Sequence, residues 1–156
     1  LHPAGGRRMN HFSISGEPLS PDTLREALED PSSGGYVSFE GWVRNHADGH
    51  GVYRLEYEVY DTLAQAEGER ILAEAVEKFG VTRVGCDHRK AALEIGHLAV
   101  WVGVSASHRD EAFKACRYII DEVKARLPIW KKEHYASGDS GWVNCEVPTH
   151  AAEPST

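Results

Sequence analysis

Only three cysteines stand in the 156 residues, at positions 86, 116 and 145, and no two of them form a CxxC pair. An odd, scattered set excludes a disulfide framework. It reads as reduced thiols, each a small buried hydrophobe rather than a nucleophile. No run of 18 apolar residues exists, which excludes a membrane-spanning helix of ordinary length. The opening stretch LHPAGGRRMNHF lacks the apolar centre of a signal peptide. Methionine occurs once, at Met9, the expected natural start. Residues 1–9 are accordingly expected to be a disordered arm or a vector-derived remnant. Positive charge is also in short supply: 17 Lys and Arg against 24 Asp and Glu give a formal net charge of −7. That balance argues against general binding to nucleic acid or anionic membranes. Missing too are a GxGxxG turn, a Walker loop and an HExxH helix.

What remains is ordinary for one soluble domain: 41% hydrophobic and 26% charged residues, enough to bury a core without staples. HFSIS (11–15) reads as a short strand. Ser20 is placed to cap a helix with Pro21 at its first position, running to about Glu29. YVSFEGWV (36–43) is rich in strand formers, and RNHADGHG (44–51) is a polar loop. In residues 52–60, Tyr53, Leu55, Tyr57 and Val59 alternate with polar residues, the period of a strand with one wet face. Asp61 then caps a helix that Gly80 ends. Strands follow at 81–89 and 97–106. A helix starts after Ser107, carries Ala112, Phe113, Cys116, Ile119, Ile120, Val123 and Leu127 as its apolar stripe, and stops before Pro128. IWKKEHY is extended, and WVNCEV is a final strand. The domain is expected over 10–147, with 148–156 a flexible tail. Mixed strands and helices without repeat or linker predict a single α+β domain.

Metal signals are weak. His46 and His50 are four apart, but Asp48-Gly49 between them argues for a loop rather than a helix face. Cys86 and His88 share one side of a strand, yet two ligands make no site.

Three polar groups sit at element ends and carry more promise. Arg44 follows the first long strand and is a bidentate donor for phosphate or carboxylate. His108 and Arg109 open a helix, whose free N–H groups favour an anion. Lys124 and Lys131 flank Pro128, where the chain can reverse and bring two ammonium groups together. Neighbouring cations favour the neutral amine and so make a lysine a usable acid, base or nucleophile. Against this stands a bland reading, in which a basic helix end serves the macrodipole and a lysine-rich stretch is a solvated face.

Read together, FEGWVRNH (39–46), SASHRDEAF (105–113) and KARLPIWKKE (124–133) resemble the large, MoaE-type subunit of molybdopterin synthase, over about residues 10–146. The resemblance implies an α/β-hammerhead fold with mixed and antiparallel sheets, a homodimer, and a heterotetramer completed by two copies of a small ubiquitin-like subunit of MoaD type. That subunit's C-terminal thiocarboxylate would supply sulfur to cyclic pyranopterin monophosphate, forming the dithiolene of molybdopterin in the cytoplasm. No cofactor or metal is implied at this step, since molybdenum enters later. By position, Lys124 and Lys131 match the family's essential lysines. Arg44, His108 and Arg109 match its substrate-binding residues, and Lys132 and Glu133 the pocket edge. Trp130 is expected to be an anchor that aims Lys131, and Arg126 the dispensable charge of the stretch. Some relatives carry basic residues on the final strand that complete the partner protomer's pocket. Here that stretch reads GWVNCEV, with Glu146 as its charge. Two other readings compete: an adaptor that binds a ubiquitin-like tail without chemistry, and a nucleic-acid binder using Trp130 and its basic neighbours. The first would form no product, and the second would lose affinity steeply with salt.

Overall fold

The computed structural model describes residues 10–47, 49–138 and 140–144. Among them the chain forms β1 (Asn10–Ser15), α1 (Pro21–Glu26), β2 (Gly35–Trp42), β3 (His46–Ala47), β4 (His50–Val59), α2 (Asp61–Phe79), β5 (Arg83–Arg89), β6 (Ala91–Glu94), β7 (Leu98–Ala106), α3 (Arg109–Arg126), β8 (Ile129–Tyr135) and β9 (Ser140–Asn144). The strands make two sheets. One has the order β1-β5-β7-β2, with β1 parallel to β5 and the other pairs antiparallel. The second runs β3-β4-β8-β9, with β6 also on β4, all antiparallel. This is the α+β class that the mixed pattern predicts.

The two long helices carry the chain between sheets. α2 leads from β4 in the second sheet to β5 in the first, and α3 leads from β7 back to β8. The apolar stripes of both lie on one face of the first sheet. Ile71, Leu72 and Ala75 meet Ile119, Ile120 and Val123 there over Val84, Cys86, Val102 and Val104. A smaller cluster of Val43, Val52, Leu55, Leu93 and Ala99 fills the space at the second sheet. Both Cys86 and Cys116 are buried in the main core. Burial pushes both thiols up, Cys116 to about 11, so neither forms a thiolate at neutral pH. Cys145 and Glu146 lie outside the described residues.

Several boundaries differ from the sequence expectation for local reasons. The 44–51 loop contains β3, because His46 and Ala47 pair with Gly51 and His50 across a turn in which Gly49 takes φ 83°. Residues 91–94, with no clear pattern of their own, become β6 by pairing with β4. The expected alternation in β4 breaks at a register shift between Val52 and Arg54. That bulge turns Val52 inward (4% exposed) and leaves Tyr53 outside (54%), while Leu55 resumes the core phase. His108 rather than Ser107 precedes α3, and its side chain makes no cap bond. At the other end of α3, Leu127 is already extended (φ −75°, ψ 137°), as the residue before a proline must be.

Gly68 shows how tightly α2 sits on β1. A Cβ there would stand 2.5 Å from ring carbons of Phe12. Gly68→Ala is therefore expected to destabilise the fold by about 1–3 kcal/mol, as overpacking does. A lowered urea midpoint at unchanged slope would show it. An unshifted midpoint would mean that the ring moves aside freely.

Candidate active site

A cavity of about 480 Å³ opens at the seam between the two cores. Its apolar wall takes Leu55 and Ala99 from the smaller cluster and Val100, Ile120, Val123 and Ile129 from the larger. Into it three elements deliver cations: Arg44 from the end of β2, Lys124 from the last turns of α3, and Lys131 from β8.

Each is placed by its surroundings. Val43 is buried (2% exposed), and its backbone is clamped to the β6–β7 turn by Val43 N–H to His97 C=O (3.0 Å) and Gly96 N–H to Val43 C=O (2.8 Å). Arg44 thus leaves a fixed point. Val123 anchors α3 in the core, so the next residue, Lys124, takes the exposed flank facing the cavity. Pro128 ends the helix, and Tyr60 N–H donates to its carbonyl (3.2 Å), which seats the start of β8 beside β4. In β8 the side chains alternate. Ile129, Lys131 and Glu133 face the cavity. Glu133 is buried (3% exposed) yet held: Tyr135 Oη donates to its Oε1 at 2.7 Å, and Lys131 Nζ lies 3.7 Å from its other oxygen. A buried carboxylate beside Lys131 orients that ammonium and limits its swing.

Three expectations need correction. Lys132 does not join the cavity edge with Glu133. It belongs to the opposite face of β8, where its Nζ sits 5.5 Å from the centre of the Trp142 ring. Strand alternation forbids adjacent residues from sharing a face. Lys132→Ala is accordingly expected to leave catalytic turnover within about threefold of the parent, because a cation–π contact at an exposed site is worth about 0.5–1 kcal/mol. A loss beyond tenfold would return Lys132 to the site. Trp130 also points away from Lys131; it is half-buried, its ring 6.3 Å from that of Tyr60. Arg126 is far from dispensable. Its guanidinium reaches Glu67, Glu74 and Glu122 at 2.6–3.1 Å and ties α2 to α3.

His108 and Arg109 lie at the opposite end of the molecule. From Arg109 to Lys124 the helix advances about 22 Å, at roughly 1.5 Å per residue. The sheet gives the same answer. A Cβ on Gly35, at the start of β2, would be 3.2 Å from the Arg109 Cα. From Gly35 to Trp42 the strand then advances about 24 Å, at roughly 3.4 Å per residue. Within one chain these two residues share no ligand with Arg44, Lys124 and Lys131.

The structure adds two side chains that the sequence reading did not assign to the site: Tyr57 and His88 line the cavity, together with His46, which stands beside Arg44 in the sequence. For His88 the signal was there. Val84, Cys86 and His88 form one face of β5, and an imidazole closing an otherwise apolar row invites a reason. Its Nδ1 lies 2.8 Å from the Arg89 carbonyl oxygen. Burial pushes its pKa down to about 4, the Arg89 carbonyl opposes that, and the nearby charge of Lys124 adds to it.

Comparison with known proteins identifies the family. The family model "MoaE protein" matches residues 14–126. The molybdopterin synthase catalytic subunit of Nostoc sp. (strain PCC 7120) is 40% identical over 134 residues, covering 85% of this chain and 81% of that protein. Catalytic subunit 1 of Mycobacterium tuberculosis is 42% identical over 130 residues, 83% of this chain and 88% of that one. Among solved structures, molybdopterin synthase from Staphylococcus aureus superposes with a TM-score of 0.81 at 35% identity, over 85% of this chain and 96% of that one. With the family model matched over residues 14–126 and relatives at 40% and 42% identity aligned along most of both chains, this chain belongs to the MoaE protein family.

Proposed function

We propose that the chain is the catalytic subunit of a molybdopterin synthase, transferring sulfur from a thiocarboxylated tail of a small ubiquitin-like subunit to cyclic pyranopterin monophosphate. The observation that carries this is the gathering of Arg44, Lys124 and Lys131 in one half-apolar cavity on an otherwise acidic protein. The substrate brings a phosphate and the tail a second anion. The field that serves them is local, because a charge is screened over roughly 8 Å at physiological salt.

Arg44 offers a planar fork for the phosphate. Lys124 serves the thiocarboxylate, giving or taking a proton or stabilising the negative charge that develops as sulfur attacks. Lys131, steadied by Glu133, holds the substrate and assists in opening the cyclic phosphate. His108 and Arg109, some 22 Å away on the same helix, reach such a pocket only from a second copy of the chain. A homodimer therefore gives them the substrate-binding role that a monomer denies them. A catalytic subunit implies a further subunit, and the exposed rings of Phe39 and Trp42 beside the cavity offer apolar surface for one. No helix among the described residues is long and apolar enough to cross a membrane. The reading places the reaction in the cytoplasm, where reducing conditions preserve a thiocarboxylate and free thiols.

The test is conversion of the cyclic precursor by the purified chain mixed with a thiocarboxylated small subunit. Product is expected with the thiocarboxylate and none with the plain carboxylate. Tail binding without product would leave an adaptor.

A further inference from the structure

One buried polar group in the cavity has no task in the chemistry above. His88 is 8% exposed and lines the cavity with Lys124. A carbonyl oxygen only accepts, so the 2.8 Å contact with Arg89 fixes the proton on Nδ1. Nε2 therefore carries a lone pair. The ring is locked in place by that bond and by Tyr57, whose ring meets it edge-on at 5.2 Å and 83°. With Nδ1 turned back to the backbone, the far edge of the imidazole is what remains for the cavity.

The other acceptors around the cavity differ: His46 is exposed, with its Nδ1 3.1 Å from Asn45 Oδ1. Glu133 is occupied by Tyr135 and Lys131. Glu40 is exposed and accepts from Trp42 Nε1 at 3.4 Å. A site furnished by Arg44, Lys124 and Lys131 binds anions but cannot receive an N–H. A substrate carrying a phosphate at one end and a nitrogen-rich ring system at the other needs both.

Resting on the proposed function, we propose that His88 Nε2 is the acceptor on the cavity floor for an N–H of the substrate's pterin rings. It sets how the rings enter relative to the phosphate held by the cations. Burial keeps the imidazole neutral through the physiological range, its pKa near 4, so the acceptor is present there. A hydrogen bond between rigid, desolvated partners also gives discrimination. An analogue without the N–H leaves Nε2 unpaired, and an unpaired buried acceptor is costly.

The test uses the full chain with its small subunit. Cyclic pyranopterin monophosphate and inorganic phosphate are each titrated into wild type, His88→Phe and His88→Gln. His88→Phe keeps the ring shape but removes the acceptor, and it is expected to weaken pterin binding about 10- to 100-fold. His88→Gln restores an acceptor and is expected to recover at least part of that loss. Phosphate affinity is expected to be the same in all three. In ¹⁵N-histidine-labelled wild type, the His88 Nε2 resonance, identified by its loss in His88→Gln, is expected to shift on saturation with the pterin and stay in place with phosphate. An unmoved resonance at saturation, or a His88→Phe protein that binds the pterin as wild type does, overturns the inference. So does a parallel loss of phosphate binding, which would mark His88 as structural. Turnover by wild type with the thiocarboxylated partner separates the two readings: product with an unmoved resonance sinks His88 alone, and no product sinks the sulfur-transfer reading first.

Discussion

Lys124→Ala is expected to lower single-turnover sulfur transfer about 10²- to 10⁴-fold, the range for removing a positioned acid–base group. The side chain stands on the exposed flank of α3 while its neighbour Val123 holds the helix in the core. Alanine is the best helix former, so the fold should survive the change. Lys124→Arg separates charge from proton transfer. Guanidinium keeps the positive charge but does not release a proton at any working pH. Substantial activity in the arginine variant would assign Lys124 to charge stabilisation, and activity as low as in alanine to proton transfer. Rates are measured at saturating thiocarboxylated partner, with a melting curve for each variant. Full turnover by a folded Lys124→Ala protein would remove Lys124 from the chemistry.

Arg126→Ala is expected to cost about 2 kcal/mol of stability, above the roughly 0.2–1 kcal/mol of a single exposed ion pair. One guanidinium here serves three carboxylates. It binds Glu74 through two nitrogens (2.7 and 3.1 Å), Glu67 through Nε (2.7 Å) and Glu122 at 3.1 Å. Its removal leaves Glu67, Glu74 and Glu122 facing one another. At roughly 2–4 °C per kcal/mol, the melting temperature should fall by about 4–8 °C. The effect should shrink in high salt, because the network is only partly buried, with side chains 24–35% exposed.

The pH dependence has a definite sign. The Arg126 hydrogen bonds, then the Tyr118 hydroxyl, hold the Glu74 carboxyl down at about 2, against an ordinary value of 4.5. A carboxylate whose pKa is depressed in the fold contributes its full stabilisation above pH 4.5, and that contribution is lost as pH falls toward 2. Wild type should therefore lose stability across that window faster than Arg126→Ala. Parallel curves for the two proteins would show that Glu74 does not depend on Arg126.

Arg126 also marks where sequence reasoning stops. In KARLPIWKKE the cations Lys124, Arg126, Lys131 and Lys132 look alike, and they have different surroundings. Lys124 and Lys131 face the cavity, Lys132 lies over Trp142, and Arg126 bridges two helices. The helix and strand periods separate neighbours onto different faces, which could have removed Lys132 from the site without a structure. Nothing local reveals that Glu67 and Glu74, more than fifty positions back, stand opposite Arg126.

The same division holds for the fold. Long periodic segments were legible: α2 with Gly80 as its stop, α3 ended by Pro128, the apolar run of β7. Each is decided by its own propensities and breakers. β6 was not legible, since residues 91–94 are extended because β4 offers them a partner. Nor was the inward turn of Val52, which a bulge produces.

By itself the sequence determined the class of the fold, the order of its long elements, and the presence of a basic, phosphate-suited set in a family pattern. Composition and short-range periodicity are local properties, and they survive without coordinates. Only the tertiary structure decided which cations meet. A rigid helix and a strand alongside it hold His108 and Arg109 about 22 Å from Lys124, while the crossover between two sheets brings Arg44, Lys131 and the unassigned His88 to the other end. Distance along a chain of fixed rise sets what a residue can reach, and packing between distant elements sets what it finds there.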